Sequence, residues 1–152
     1  MTKETIPPLA FIRLKVPRLI PQELIENVKG KTFTAEQFYR YQEEVRDCEG
    51  SFLFVMVDEK KKIKGFIWAE LNRMDGSLFV NTLSVTKEFW HKGKMMEIVE
   101  EFLRDLQKKY KCPKVFWLTQ NPKFFEKHNW KRSKNILMEY NEKKEEVTDG
   151  SG

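Results

Sequence analysis

The stretch LFVNTLSVTKEFWHKGKMMEIVEEFLRDLQKKY, residues 78–110, changes from a strand pattern through a charged loop to a helical pattern. Leu78–Val85 predicts a strand. Gly93–Tyr110 predicts an amphipathic helix. Its apolar face carries Met95, Val99, Phe102, Leu103, Leu106 and Tyr110. The apolar run Lys114–Thr119 predicts another strand, so these elements form a β-α-β unit with parallel strands.

Seven further elements are predicted outside this unit, five before it and two after it. They are a strand at Leu9–Val16, a helix from Pro21 to Gly30, a helix begun by the capping box Thr34–Gln37 and ended near Cys48–Gly50, strands at Ser51–Asp58 and Ile63–Asn72, a short helix from Asn121–Pro122 to about Lys127, and a final strand or hairpin arm at Trp130–Tyr140. The resulting order, β-α-α-β-β-β-α-β-α-β, predicts an α/β fold with a mixed sheet.

Length and composition favour one ordinary domain. The 152 residues contain no visible repeat or linker, so we expect a single domain over residues 1–140 and a polar, disordered tail over residues 141–152. With 34% charged residues, no stretch is apolar enough to span a membrane, and the N-terminus lacks a secretory signal.

The cysteine and histidine content restricts the chemistry. Two cysteines and two histidines form neither a disulfide framework nor a four-ligand zinc cluster, so we expect no metal and a reducing compartment, by default the cytoplasm. The net charge of +5 is compatible with an anionic ligand, although solubility alone explains it equally well.

The loop between the predicted strand and helix has the properties of an anion site. A helix N-terminus presents backbone N–H groups and the positive end of a dipole, which suits a pyrophosphate. Gly93 allows close approach, Lys92 and Lys94 add positive charge, and His91 suits anion contact. A glycine that eases the turn beside solvated lysines is the alternative interpretation.

Two stretches resemble the GNAT superfamily of acyl-CoA-dependent N-acyltransferases. Leu83-Ser84-Val85 followed by Trp90–Met95 is similar to the family's strand and Arg/Gln-x-x-Gly-x-Gly/Ala turn, and Asn121–Trp130 is similar to its Asn…Phe-Tyr-Glu-Lys-x-Gly-Phe stretch. The resemblance covers roughly residues 9–140. It implies a GNAT-like mixed sheet, acetyl-CoA as cofactor, and an acceptor amine on a small molecule or protein. The cofactor-binding residues that it implies are Leu83, Ser84, Val85, His91, Lys92, Gly93, Lys94, Met95, Asn121 and Phe125.

The resemblance also implies a geometry for the cofactor. The strands Leu78–Val85 and Lys114–Thr119 should be parallel neighbours that separate beyond Val85, and the pantetheine arm should enter the gap. Backbone N–H groups near Leu83–Val85 would then polarise the thioester carbonyl.

Several residues depart from the family pattern. Trp90 replaces Arg or Gln, and Met95 replaces Gly or Ala, where its side chain either crowds the phosphates or turns into the core. Phe125 replaces a Tyr that can protonate the departing thiolate, and Phe has no hydroxyl for this role. Asn129 replaces Gly, a mild change because Asn tolerates a left-handed backbone. Asn121 is retained, but a helix cap explains it as well.

The catalytic residues stay unassigned at this point. The polar residues of the central strands that could serve as the general base are Glu70, Asn81 and Ser84. Asn81 cannot act as a base, and Glu70 is expected to be an outward-facing strand residue. The leading interpretation is an N-acetyltransferase. The alternatives are a catalytically impaired binding or structural module, such as a component of a viral or phage assembly, and a nucleic-acid-binding module suggested only by charge and aromatic residues.

Overall fold

The computed structural model describes residues 6–28, 30–90, 92–119, 122–134 and 138–140. The chain divides into two compact units, Met1–Gln120 and Asn121–Gly152. The strands of the first unit are β1 (Ala10–Arg13), β2 (Ser51–Val57), β3 (Ile63–Leu71), β4 (Leu78–Val85) and β5 (Val115–Trp117). Its helices are α1 (Gln22–Glu26), α2 (Ala35–Val45) and α3 (Gly93–Tyr110), with 3-10 turns at Pro17–Leu19 and Lys87–Phe89.

The five strands form one mixed sheet in the order β1-β2-β3-β4-β5. The pairs from β1 to β4 are antiparallel, and β5 lies parallel to β4 after the crossover through α3. The α/β mixed sheet predicted from the sequence is therefore confirmed. None of the helices in the described residues is long and apolar enough to cross a membrane.

Local sequence signals set the two long helices. Thr34 Oγ1 accepts a hydrogen bond from Gln37 N at 3.1 Å, and Thr34 N donates to Gln37 Oε1 at 2.8 Å, so the predicted capping box begins α2. Lys111, at φ 54°, ends α3 in the left-handed region. The bounds of α3 are those predicted from its apolar periodicity.

The helices cover both faces of the sheet. On one face, the Phe38 ring of α2 lies 5.2 Å from Phe66 and 5.9 Å from Trp68, both on β3. On the other, Phe102 of α3 stacks on Phe11 of β1 at 4.0 Å and meets Phe54 of β2 at 4.8 Å. The sheet is thus held between two apolar layers.

Strand β4 carries a bulge. Trp68 pairs with Thr82 but the next residue, Ala69, pairs with Val80, so Asn81 is the extra residue on β4. Further along, a Cβ on Gly65 would lie 2.7 Å from the Ser84 carbonyl oxygen, so only glycine allows β3 this close to β4.

The second unit contains helix α4 (Pro122–Glu126). After it, Asn129 adopts φ 70° and Trp130 N donates to Phe125 O at 3.1 Å, as expected for an Asn in place of Gly at a helix end. The final strand predicted at Trp130–Tyr140 is not seen in residues 130–134 and 138–140. Residues 131–134 are exposed and polar, and without a covered face they lack what holds a strand in a sheet. Residues 135–137 and the predicted tail at 141–152 lie outside the described residues.

Candidate functional site

One edge of β4 is open over half its length. Leu78, Phe79 and Val80 pair with the three residues of β5, and no strand in the described residues pairs with the outer edge of Asn81–Val85. The predicted parallel neighbours are confirmed, but they part after Val80 rather than beyond Val85. The bulge at Asn81 bends β4, and β5 itself ends at Trp117.

Backbone groups of Leu83 and Val85 face this open edge. Thr86 N donates to Lys64 O at 2.9 Å, so Thr86 faces β3. In an antiparallel pair, the backbone N–H and C=O groups of every second residue point to the same neighbouring strand. The backbone groups of Ser84 therefore also point to β3, while those of Leu83 and Val85 point away from it. The open edge can therefore bond a carbonyl oxygen or the amides of an extended ligand.

The side chain of Ser84 forms a structural hydrogen bond. Its hydroxyl donates to Leu24 O at 2.6 Å, and the residue is buried. This bond joins β4 to α1. Of the strand residues predicted to bind the cofactor, Leu83 and Val85 are therefore the two that direct backbone groups to the open edge.

Beyond β4, the chain enters α3 through the 3-10 turn Lys87–Phe89. Lys92 is the N-cap residue, its own side chain makes no capping hydrogen bond, and the first turn contains no acidic residue. Gly93 is the first helical residue, and Lys94 Nζ lies 3.8 Å from Glu97 Oε2. An 18-residue helix thus begins with its positive dipole end beside two lysines. The anion site predicted at this helix start stays a prediction.

Met95 turns into the core. Its side chain is 4% exposed, and its neighbour Met96 is 6% exposed. The Met95 side chain therefore packs in the core and does not crowd the start of α3.

Trp90 lies against the open edge. Its indole Nε1 donates to Val85 O at 2.9 Å, and Lys87 Nζ lies 5.8 Å from its ring centroid. The residue is 39% exposed. A carbonyl that an extended ligand could use is therefore already bonded by Trp90.

Of the remaining predicted site residues, two are not described and one lies in the second unit. His91 and Asn121 lie outside the described residues. Phe125 belongs to the second unit, where its ring lies 5.6 Å from Phe124 and 5.7 Å from Trp130. It has no hydroxyl with which to act as an acid.

A polar cluster beside the bulge was missed at the sequence level. Tyr41 of α2 donates its hydroxyl to Glu70 Oε2 at 2.5 Å, and Asn81 Nδ2 donates to Glu70 Oε1 at 3.2 Å. Burial, and then the hydrogen bond to the Glu70 carboxylate, raise the pKa of Tyr41 to about 12, so the phenol stays protonated. The bond from Tyr41 holds Glu70 towards α2, so Glu70 does not simply face outwards as the sequence predicted. The sequence showed Tyr41 only as part of the apolar face of a helix.

The described residues contain no group of three or more histidine, cysteine, aspartate or glutamate side chains that could hold a metal ion.

Comparison with known proteins gives the family. The family profile described as "Acetyltransferase (GNAT) family" matches residues 21–130. This span contains the open edge of β4, the start of α3 and the Glu70 cluster. The chain belongs to the GNAT acetyltransferase family. No curated protein sequence matches it significantly.

Solved structures share this fold. A possible acetyltransferase from Clostridium difficile 630 is 13% identical, with a TM-score of 0.65 over 88% of this chain and 97% of that one. Glucosamine-6-phosphate N-acetyltransferase from Arabidopsis thaliana is 24% identical, with a TM-score of 0.58 over 88% and 98%. The aminoglycoside 6'-N-acetyltransferase AAC(6')-Ih from Acinetobacter baumannii is 6% identical, with a TM-score of 0.63 over 88% and 98%. At these identities the likeness concerns the fold.

Proposed function

We propose that this protein is an N-acetyltransferase that uses acetyl-CoA and acetylates an amine on a small molecule or protein. The observation that carries the proposal is the open edge of Asn81–Val85, followed along the chain by a helix N-terminus that its N-cap residue, Lys92, leaves without a side-chain hydrogen bond. An extended ligand with amides and a pyrophosphate needs both features. We further propose that residues 1–140 act as one domain, in the cytoplasm.

Each part of the site has a role in this proposal. Leu83 and Val85 would donate backbone N–H groups to the carbonyl oxygens of the pantetheine amides and of the thioester. The bound cofactor would supply the acetyl group in activated form as that thioester. Donors fixed in a folded strand stabilise negative charge on that oxygen without reorganising. The start of α3 at Gly93, with Lys92 and Lys94, holds the pyrophosphate.

Phe125 has no phenol with which to protonate the departing thiolate. One general acid contributes about 10²–10⁴-fold in rate. We therefore propose slow turnover, in which the leaving sulfur is protonated by water or by the reacting nitrogen.

Thermal unfolding with and without acetyl-CoA tests cofactor binding. A ligand at 100 times its dissociation constant stabilises the folded state by about 2.7 kcal/mol. For a chain of this size that corresponds to a rise in Tm of roughly 5–10 °C. S-acetyl-N-acetylcysteamine, which lacks the pyrophosphate, is the matched control and should give a much smaller rise. An unchanged Tm with acetyl-CoA would contradict the proposal.

The second candidate is a binding module without turnover. The bond from Trp90 Nε1 to Val85 O favours it, because this bond occupies part of the edge that a cofactor would use. Mass spectrometry of a panel of amines incubated with acetyl-CoA separates the two functions. Acetyl-CoA binding without any acetylated product would support the second candidate.

A further inference from the structure

Glu70 is the one acidic residue in the five strands of the described sheet. Both of its carboxylate oxygens accept a hydrogen bond, one from Tyr41 and one from Asn81. Both donors are neutral, and no cation in the described residues forms an ion pair with Glu70. By contrast, Arg18 and Lys64 neutralise Glu36 and Glu88. The Glu70 carboxylate is therefore fixed in position while its negative charge has no paired cation.

Aromatic residues are the neighbours of Glu70 on its face of the sheet. Trp68 lies two residues before Glu70 on β3, on the same face, and its ring is 5.4 Å from that of Tyr41. Phe79 on β4 is the cross-strand partner of Glu70 on β3. It is 39% exposed, and its ring stacks on that of Phe116 with a centroid distance of 4.9 Å. A carboxylate among aromatic faces suits an alkyl ammonium, because the charge pairs with the carboxylate and the C–H groups and charge contact the rings.

The position of the cluster connects it to the open edge. Asn81, which holds Glu70, is the bulge residue of β4 and directly follows Val80, the last residue paired with β5. The open edge therefore begins at the residue that binds the carboxylate. A carboxylate keeps lone pairs beyond the two that Tyr41 and Asn81 occupy, so it can accept further hydrogen bonds.

We propose that Glu70, positioned by Tyr41 and Asn81, binds the acceptor of this enzyme as a primary alkyl ammonium and takes a proton from it. This inference rests on the proposed acetyltransferase function. Glu70 accepts one proton, and the lone pair freed on nitrogen forms the C–N bond to the thioester carbonyl carbon. The C–S bond breaks with its electron pair on sulfur, which takes the second proton lost by nitrogen. Glu70 then releases its proton to water.

Binding of the amine is tested without acetyl-CoA. 1,4-Diaminobutane is added at millimolar concentration to ¹⁵N-labelled protein, and the indole N–H resonance of Trp68, assigned with Trp68→Phe, is followed. Trp68 Nε1 is buried without a hydrogen-bond partner in the described structure, so it reports on changes around it. We expect a shift with the diamine, little shift with the neutral 1,4-butanediol, and loss of the diamine shift in Glu70→Gln. No shift with the diamine, or an equal shift with the diol, would overturn the subsite.

Turnover of 1,4-diaminobutane, followed by release of free thiol, tests the proton transfer. Glu70→Gln should lower kcat by about 10²–10⁴-fold, while its dissociation constant for acetyl-CoA stays that of the unchanged protein. Tyr41→Phe should lower kcat by less, because Asn81 still holds the carboxylate. Glu101→Gln, an exposed carboxylate on α3 across the sheet, is the matched control.

Two outcomes separate the inference from the proposed function. If Glu70→Gln keeps the kcat/KM of the unchanged protein, the role of Glu70 is wrong although the acetyltransferase function stands. If acetyl-CoA fails to bind while the diamine shift still depends on Glu70, the proposed function is wrong and the amine site stands. Circular dichroism and Tm confirm that each variant is folded.

Discussion

Among single residues, Trp90 occupies one backbone carbonyl on the open edge of β4. Its indole N–H bonds Val85 O, the carbonyl that faces away from β3 at the end of the strand. Trp90→Phe keeps an aromatic ring but frees this carbonyl for a ligand amide. One hydrogen bond contributes about 0.5–1.5 kcal/mol, so we expect acetyl-CoA to bind about two- to tenfold more tightly, as measured by isothermal titration calorimetry.

The reverse result would assign Trp90 a different role. Weaker binding by Trp90→Phe would mean that the indole contacts the ligand directly. Met95→Gly, by contrast, is unsuitable for reopening the site, because Met95 is buried in the core and its loss would leave a cavity.

Helix α3 contributes to the site through its N-terminus. Gly93→Asp places a carboxylate where the pyrophosphate is proposed to bind. The same charge favours the helix itself by about 0.3–1 kcal/mol, because acidic groups stabilise helix N-termini. We therefore expect an unchanged or higher Tm together with a loss of about tenfold or more in acetyl-CoA affinity.

Two further variants separate charge from shape at this position. Gly93→Asn has nearly the same size as Gly93→Asp but no charge, so any loss that it shares with Gly93→Asp comes from blocked approach of the backbone. Lys92→Ala removes only a side chain whose charge is screened at physiological salt. Equal losses in Lys92→Ala and Gly93→Asp would contradict a site built from backbone N–H groups.

For the molecule as a whole, one ion-pair network joins the N-terminal segment to α2. Arg18 donates to Glu36 and Glu43, at distances of 2.8–3.3 Å. Hydrogen bonds from Arg18 lower the pKa of Glu36 from 4.5 to about 2. A depressed folded-state pKa contributes stability above the unfolded pKa, and this contribution is lost as pH falls through the folded value.

Acid unfolding checks this network. We expect part of the fall in Tm between about pH 4.5 and pH 2 to disappear in Arg18→Met, because the largest cause of the depressed Glu36 pKa is then removed. Glu36→Gln should flatten the same pH range. An unchanged pH profile in both variants would show that solvent screens the network completely, as it does many exposed ion pairs.

Signals within a few residues of one another specified much of this fold. The capping box at Thr34 and Gln37 begins α2, the apolar period of Gly93–Tyr110 gives α3, and the apolar run at Leu78–Val85 gives β4. These patterns work because hydrogen bonds and side-chain spacing inside one element depend only on neighbouring residues. Gly93 at the start of α3 is another such local signal, because the sequence around a helix terminus shows where the helix begins.

Contacts between distant residues decided the rest of the candidate site. Tyr41 reaches Glu70 across 29 positions and Leu24 accepts from Ser84 across 60, so no local pattern shows which hydroxyl is structural. The bulge at Asn81 depends on how β3 and β4 align, and the parting after Val80 depends on where β5 ends. The sequence by itself thus determined most of the elements and the start of α3, where an anion site is proposed. Only the tertiary structure decided which backbone groups of β4 are open and which carboxylate the bulge residue binds, because register and packing are set by the whole chain at once.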